Sequence, residues 1–163
     1  MYYNIYQISQ NRIPQTDWIK EQDFYMSAFL GEVADKVTDL TRQERLEAIS
    51  HLNEWLRKQK LGGIEKNILT LNFDLLTNSY YRKRYQDFKK AVVALHDNTS
   101  LQRYLEDLDA VRNMILEVED HLIQEQTDYV CWDSYSPMSL DEFLRTATVG
   151  KPYYIGGVCS FKY

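Results

Sequence analysis

The chain keeps its strand-forming sequence at its two ends and its helix-forming sequence between them, and this separation constrains the fold more than any other feature. Tyr2 to Ile8 is rich in aromatic and β-branched side chains, which suit a pleated surface, and Asn11 to Pro14 breaks the run. Asp128 to Tyr135 and Pro152 to Tyr163 have the same character. Gly156-Gly157 marks a bulge or kink in the last of these segments.

The middle reads as helix. Trp18, Tyr25, Met26, Phe29, Leu30, Val33 and Val37 recur at helical spacing and predict a helix from about Asp17 to Val37 with Thr16 as N-cap, although Gly31 interrupts it. Thr41-Arg42-Gln43-Glu44 is a capping box, in which the threonine hydroxyl and the glutamate carboxylate each satisfy the other's backbone N–H. It opens a helix that runs to about Lys60 and stops at Gly62-Gly63. Residues 64–98 read as helix in two pieces, split near Thr77-Asn78-Ser79. Leu101, Leu105, Leu108, Val111, Ile115, Val118 and Leu122 step by three and four, close to a heptad seam, and predict one long helix over 100–126 with Thr99 as N-cap. Ser139-Leu140-Asp141-Glu142 is a second capping box, with Met138 and Phe143 placed as a hydrophobic staple for a short helix to about Thr146. The expected fold is α+β and predominantly helical: a small antiparallel sheet from the N- and C-terminal strands, packed on a body of about five to six helices, in a single domain over residues 1–163.

A chain of 163 residues buries about two thirds of its extended surface, so its core needs neither disulfide nor metal. No apolar run reaches the length of a membrane span, and the N-terminal residues lack the basic and apolar regions of a secretory signal. The two cysteines, Cys131 and Cys159, make no disulfide framework. A reducing, cytoplasmic setting is expected.

The common catalytic signatures are absent: there is no GxSxG elbow, P-loop, GxGxxG, HExxH or CxxC. Glu117, His121 and Glu125 stand at i, i+4 and i+8 on one side of a predicted helix. A metal needs ligands from a second element as well, so the row reads as a solvated face with Glu–His pairs. Nothing in the sequence places a histidine beside Cys159. No catalytic residue, metal ligand or cofactor is assigned.

Charge is the most specific signal. The net charge is only -5, yet residues 105–142 carry eleven acids and one base, and residues 55–90 carry nine bases and three acids. Packed as neighbours, the two blocks would neutralise one another; turned outward, they would steer a charged partner. The leading expectation is a non-enzymatic macromolecule-binding protein of the small inhibitor, immunity or accessory type. Glu106, Asp109, Glu117, Asp120, Glu125, Asp128 and Asp133 would meet a protein partner with a basic surface, occupying even a basic nucleic-acid-binding groove. A Tyr-rich face built from Tyr2, Tyr3, Tyr129, Tyr135, Tyr153 and Tyr154 would assist, tyrosine being a rigid contact residue. Two alternatives stand beside it. One is a hydrolase-like enzyme using Glu117, His121, Asp133 or Cys159 in a sheet–helix cleft. The other is a nucleic-acid-binding module using the basic-aromatic stretch 80–90 through Tyr80, Arg82, Lys83 and Arg84. Direct nucleic-acid binding ranks lower, because the whole chain has a pI near 5.2. The near-heptad helix suits a monomer or a homodimer.

Overall fold

The terminal strands β1 (Tyr2–Ser9) and β7 (Tyr153–Lys162) pair antiparallel, from Tyr2 opposite Lys162 to Ser9 opposite Tyr154. The computed structural model describes residues 2–72, 76–122, 128–132, 136–148 and 150–163. The chain, read from sequence as one domain, forms two compact units: Met1–Phe73 with Thr127–Tyr163, and Asp74–Gln126.

The fold is α+β, but the sheet of the first unit is larger than expected. It has seven strands in the order β3-β4-β7-β1-β5-β6, with β2 also on β7, and it is mixed. These are β2 (Lys36–Asp39), β3 (Gly62–Glu65), β4 (Ile68–Leu71), β5 (Tyr129–Trp132) and β6 (Pro137–Ser139). The β1–β5 pairing, with Ile5 opposite Tyr129, is parallel. A parallel neighbour requires a long crossover, and everything between Ser9 and Tyr129 supplies it. One side of β7 is shared by two short strands: β4 meets Tyr153 and Tyr154, and β2 meets residues 159–162.

Three predicted helical stretches are corrected. Over 17–37 the chain forms two 3-10 turns (Gln15–Asp17 and Glu21–Phe24), a single distorted turn α1 (Phe29–Glu32) and strand β2. Gly31 takes φ 97°, which ends helical geometry there. Of the apparent stripe, Phe29 and Val37 are buried on one face of the sheet and Leu30 and Val33 pack against the same core, while Tyr25 and Met26 are exposed. Phe24, Phe29, Ala34 and Val37 pack with Ile5, Cys131, Cys159 and Phe161. Where helix was expected from residue 64, the chain forms the hairpin β3–β4, whose turn residues Lys66 and Asn67 both have positive φ, as a two-residue hairpin turn demands. The long helix over 100–126 is two: α4 (Leu101–Glu106), capped by Ser100, and α5 (Leu108–Leu122). Asp107, at φ -142° and ψ 65°, separates them, and its carboxylate accepts from Ala110 N at 3.1 Å to start the second.

Helix α2 (Arg42–Lys58) forms as its capping box predicts. Thr41 N–H donates to Glu44 Oε2 at 2.8 Å, and Glu44 N–H donates to Thr41 Oγ1 at 3.3 Å. The helix covers the other face of the sheet, where the buried Tyr6 hydroxyl donates to Ala48 O at 3.0 Å. At the far edge α6 (Leu140–Thr146) begins at Ser139, whose hydroxyl accepts from Glu142 N. With both faces covered, β7 is buried at every position from Ile155 to Phe161, so the alternation expected of a half-exposed strand is lost.

The bulge falls at Gly156-Gly157. Tyr6 opposes Val158 and Ile8 opposes Ile155, so two steps along β1 match three along β7. Two side chains secure the extra residue. Gln7 Oε1 accepts from Gly157 N at 2.9 Å and from Ile19 N at 3.1 Å, while Gln7 Nε2 donates to Asp17 O. On the carbonyl side, Arg45 Nε and Nη2 both donate to Gly156 O, at 2.9 and 2.6 Å. A Cβ on Gly157 would stand 2.7 Å from Ile19 N and 2.9 Å from Ile19 O, both backbone atoms that Gln7 helps to fix. Gly157→Ala is therefore expected to lower unfolding stability by about 1–3 kcal/mol, read by urea denaturation. An unchanged midpoint would mean that the Ile19 backbone yields freely.

Candidate functional site

The second unit is a helical hairpin. Helix α3 (Tyr81–Asn98) and α5 run antiparallel, with Arg84 near the start of α3 donating from Nη2 to Leu122 O at the end of α5. Ala91 and Val111, each 7% exposed, are the buried apolar residues described in this unit. Tyr81, Phe88 and Leu95 on α3 and Met114 and Val118 on α5 are half-buried along the same seam.

Beside the seam lies an uncovered stripe. Leu108, Ile115 and Leu122 step by seven along α5, and Tyr85 and Val92 step by seven along α3; all five are exposed. Each residue turns an α-helix by about 100°, so both stripes sit roughly 70–80° from the seam in the same rotational sense. For right-handed helices lying antiparallel, that sense puts them on one side of the hairpin. Leu101 and Leu105 of α4 are also exposed, at 76% and 69%. Exposed apolar surface that continues across two helices marks an interaction site in a folded protein.

The acidic residues Asp109, Glu117 and Asp120 of α5 are exposed on the rest of its surface rather than beside this stripe. On α5, Asp109 and Asp120 fall within about 20° of each other around the helix, with Glu117 roughly 60° further, facing away from α3. All three are exposed. Glu106 on α4 accepts from Gln102 Nε2 at 3.1 Å. Of the remaining expected acidic contacts, Glu125 and Asp133 lie outside the described residues, as does Tyr135.

The antiparallel hairpin also brings the opposed charge blocks together in part. Arg82, Lys83, Lys89 and Lys90 lie on the half of α3 that runs alongside Glu117, Glu119 and Asp120 of α5. Arg84 and Tyr80, two of the four groups in the nucleic-acid alternative, are engaged within the unit. The Arg84 guanidinium lies 5.7 Å from the ring centres of both Tyr80 and Tyr81, and those rings meet edge-on at 5.1 Å. Arg82 and Lys83 are exposed.

The tyrosines of the sheet unit divide. Tyr2 is exposed, Tyr3, Tyr129 and Tyr154 are half-buried, and Tyr153 is buried with its hydroxyl donating to Thr148 O. Tyr3 and Tyr129 join Phe29 and Phe161 in a cluster of tilted and edge-on rings 5.1–5.6 Å apart. Much of the expected aromatic face is thus internal packing.

The groups named for an enzyme are dispersed between the units. Glu117 and His121 stand on α5, whereas Cys159 is buried in β7, its thiol donating to Ile19 O and Asp39 Oδ1, each at 3.7 Å. Burial, with Asp39 adding to it, pushes the Cys159 thiol well up, and burial pushes Cys131 up to about 12. A nucleophilic cysteine requires the opposite shift. Both thiols are free. Among the described residues, no group of three or more His, Cys, Asp or Glu is arranged to hold a metal ion, and no helix is long and apolar enough to cross a membrane. Comparison with protein-family models, with curated proteins and with solved structures finds no match to this chain.

Asp128, expected at the partner surface, braces the sheet instead. Its Oδ1 accepts from Asn4 N at 2.9 Å and its carbonyl accepts from Leu140 N at 3.1 Å. Burial raises its carboxyl above the ordinary value, opposed by the Asn4 N–H and by nearby His51. A carboxyl whose folded value is raised favours the fold while protonated, and that contribution is lost as pH rises from the unfolded value through the folded one. Asp128→Asn keeps an oxygen acceptor for Asn4 and carries no charge. Its stability relative to the native chain is expected to improve as pH rises from about 4 to 7. Urea unfolding at the two ends of that range measures this, and a pH-independent difference would contradict the assignment.

Proposed function

We propose that this is a non-enzymatic, cytoplasmic macromolecule-binding protein of the inhibitor or accessory kind. It docks the α3–α5 hairpin onto a protein partner whose surface combines an apolar groove with basic residues. The observation that carries this reading is the exposed stripe Tyr85, Val92, Leu108, Ile115 and Leu122; the carboxylates Asp109, Glu117 and Asp120 are exposed elsewhere on α5. A hairpin of two helices that buries little of its own apolar surface gains stability when another surface covers that stripe. Carboxylates elsewhere on α5 would speed encounter through their long-range field, while the leucines and isoleucine would supply affinity. Two free, buried cysteines suit a reducing compartment.

Paired variants separate the two contributions. Ile115→Asp with Leu122→Asp is expected to weaken the complex at least about tenfold, mainly through faster dissociation. Glu117→Lys with Asp120→Lys is expected to slow association and flatten its dependence on salt. The measurement is surface-immobilised binding of proteins retained by the native chain. A set of retained proteins unchanged in identity and rates by both pairs would overturn the reading.

A further inference from the structure

Next to the Gly156-Gly157 bulge the sheet unit has a partly open pocket of about 670 Å³, bounded by the first 3-10 segments, the start of α2 and β7. That volume falls within the range of small-molecule sites. Its wall includes Trp18, Lys20, Asp39, Arg42, Arg45 and Gly157.

Arg45 is the unusual member. It is 6% exposed, and its guanidinium lies 4.2 Å from the centre of the Trp18 ring. Nε and Nη2 donate to the bulge carbonyls of Gly156 and Ile155. No carboxylate among the described residues pairs with it, and its Nη1 protons have no acceptor among them. Burial alone shifts this group, lowering its pKa with no opposing carboxylate. A buried cation is costly unless an anion compensates it, and two carbonyl dipoles with an aromatic face compensate only in part. Asp39, the carboxylate in the wall, is committed elsewhere: its Oδ1 accepts from Glu21 N at 2.7 Å and faces the Cys159 thiol. Lys20 and Arg42 are exposed and extend the same positive charge outward. The capping box of helix α2 satisfies the Thr41 and Glu44 amides, and the site is built from side chains rather than from the helix end.

We propose that this cavity binds the phosphate monoester of a small organic molecule, with Arg45 as the buried anchor and Lys20 and Arg42 as the outer clamp. Three cations against one carboxylate match a phosphate dianion, and guanidinium groups suit its geometry. The cavity exceeds what a phosphate alone would fill, which leaves room for an organic body beside the Trp18 indole. The inference concerns the sheet unit and stands independently of the hairpin's docking role.

The test is calorimetric titration of the full chain with phenyl phosphate, inorganic phosphate and benzoate at constant ionic strength, with thermal unfolding in parallel. Phenyl phosphate is expected to bind more tightly than either other probe and to raise the melting temperature. Lys20→Gln with Arg42→Gln changes exposed residues only, so it should leave the unliganded melting temperature unchanged and weaken phenyl phosphate about tenfold. Arg45→Gln should abolish binding, but it also removes the bulge clamp, so the outer pair decides. Absence of heat and of thermal shift at millimolar phenyl phosphate would overturn the proposal. Equal affinity for benzoate, or full affinity in the Lys20/Arg42 variant, would overturn it as well.

Discussion

The sheet unit depends on how one extra residue is held in its central strand. A bulge in a strand with both faces covered leaves backbone polar groups away from water, where each unmet hydrogen bond is costly. Here Gln7 accepts from the freed N–H of Gly157 and Arg45 donates to the carbonyl of Gly156. The same Gln7 reaches Asp17 and Ile19, and the same Arg45 stands on α2. The bulge thus ties the irregular 15–34 segment on one face and the α2 helix on the other to β7. Gly157 follows from that arrangement, because the Ile19 backbone approaches too closely for a Cβ, whereas Gly156 is met by the side-chain ends of Gln7 and Ile13.

The two units solve the burial problem differently. In the sheet unit, β1 and β7 bury residues toward both faces, and even Tyr6 and Tyr153 have their hydroxyls satisfied internally. In the hairpin unit a narrow seam around Ala91 and Val111 is covered while a neighbouring stripe faces outward. The contrast is what motivates the proposal that the hairpin recognises a large partner. The partly open pocket of the sheet unit has a volume on the scale of a small molecule.

Sequence patterns were most legible where a local rule decides the structure. The capping boxes at Thr41 and Ser139 and the glycine bulge rest on residues whose chemistry acts over a few positions; the pairing of the two terminal strands was legible because strand-forming sequence is concentrated at the chain's ends. The segments 17–37 and 64–71 misled for one shared reason. Ile64, Ile68 and Leu71, like Phe29, Val33 and Val37, are spaced as a helix would space them, yet tertiary burial on the sheet determined their conformation. The positive-φ pair Lys66-Asn67 was the available sign of a hairpin. Of the candidate surface, the acidic residues of α5 were visible as charge. The exposed apolar stripe was not, because the near-heptad leucines read equally well as interior. Nor could the sequence place Arg45, Trp18 and the bulge together, since 111 positions separate Arg45 from Gly156.

The position of β7 in chain order has a consequence during synthesis. It is the latest strand of the sheet, yet β1, β2 and β4 all pair with it. Until it emerges, these three lack their common neighbour, and the apolar segment Tyr2–Ser9 waits with unpaired edges through more than a hundred further residues. The α3–α5 hairpin, built from contacts near in sequence, can form during that interval. The nascent chain therefore passes through a stage in which its helical part is folded and its future sheet is exposed, the stage at which edge-to-edge aggregation and chaperone capture compete with completion.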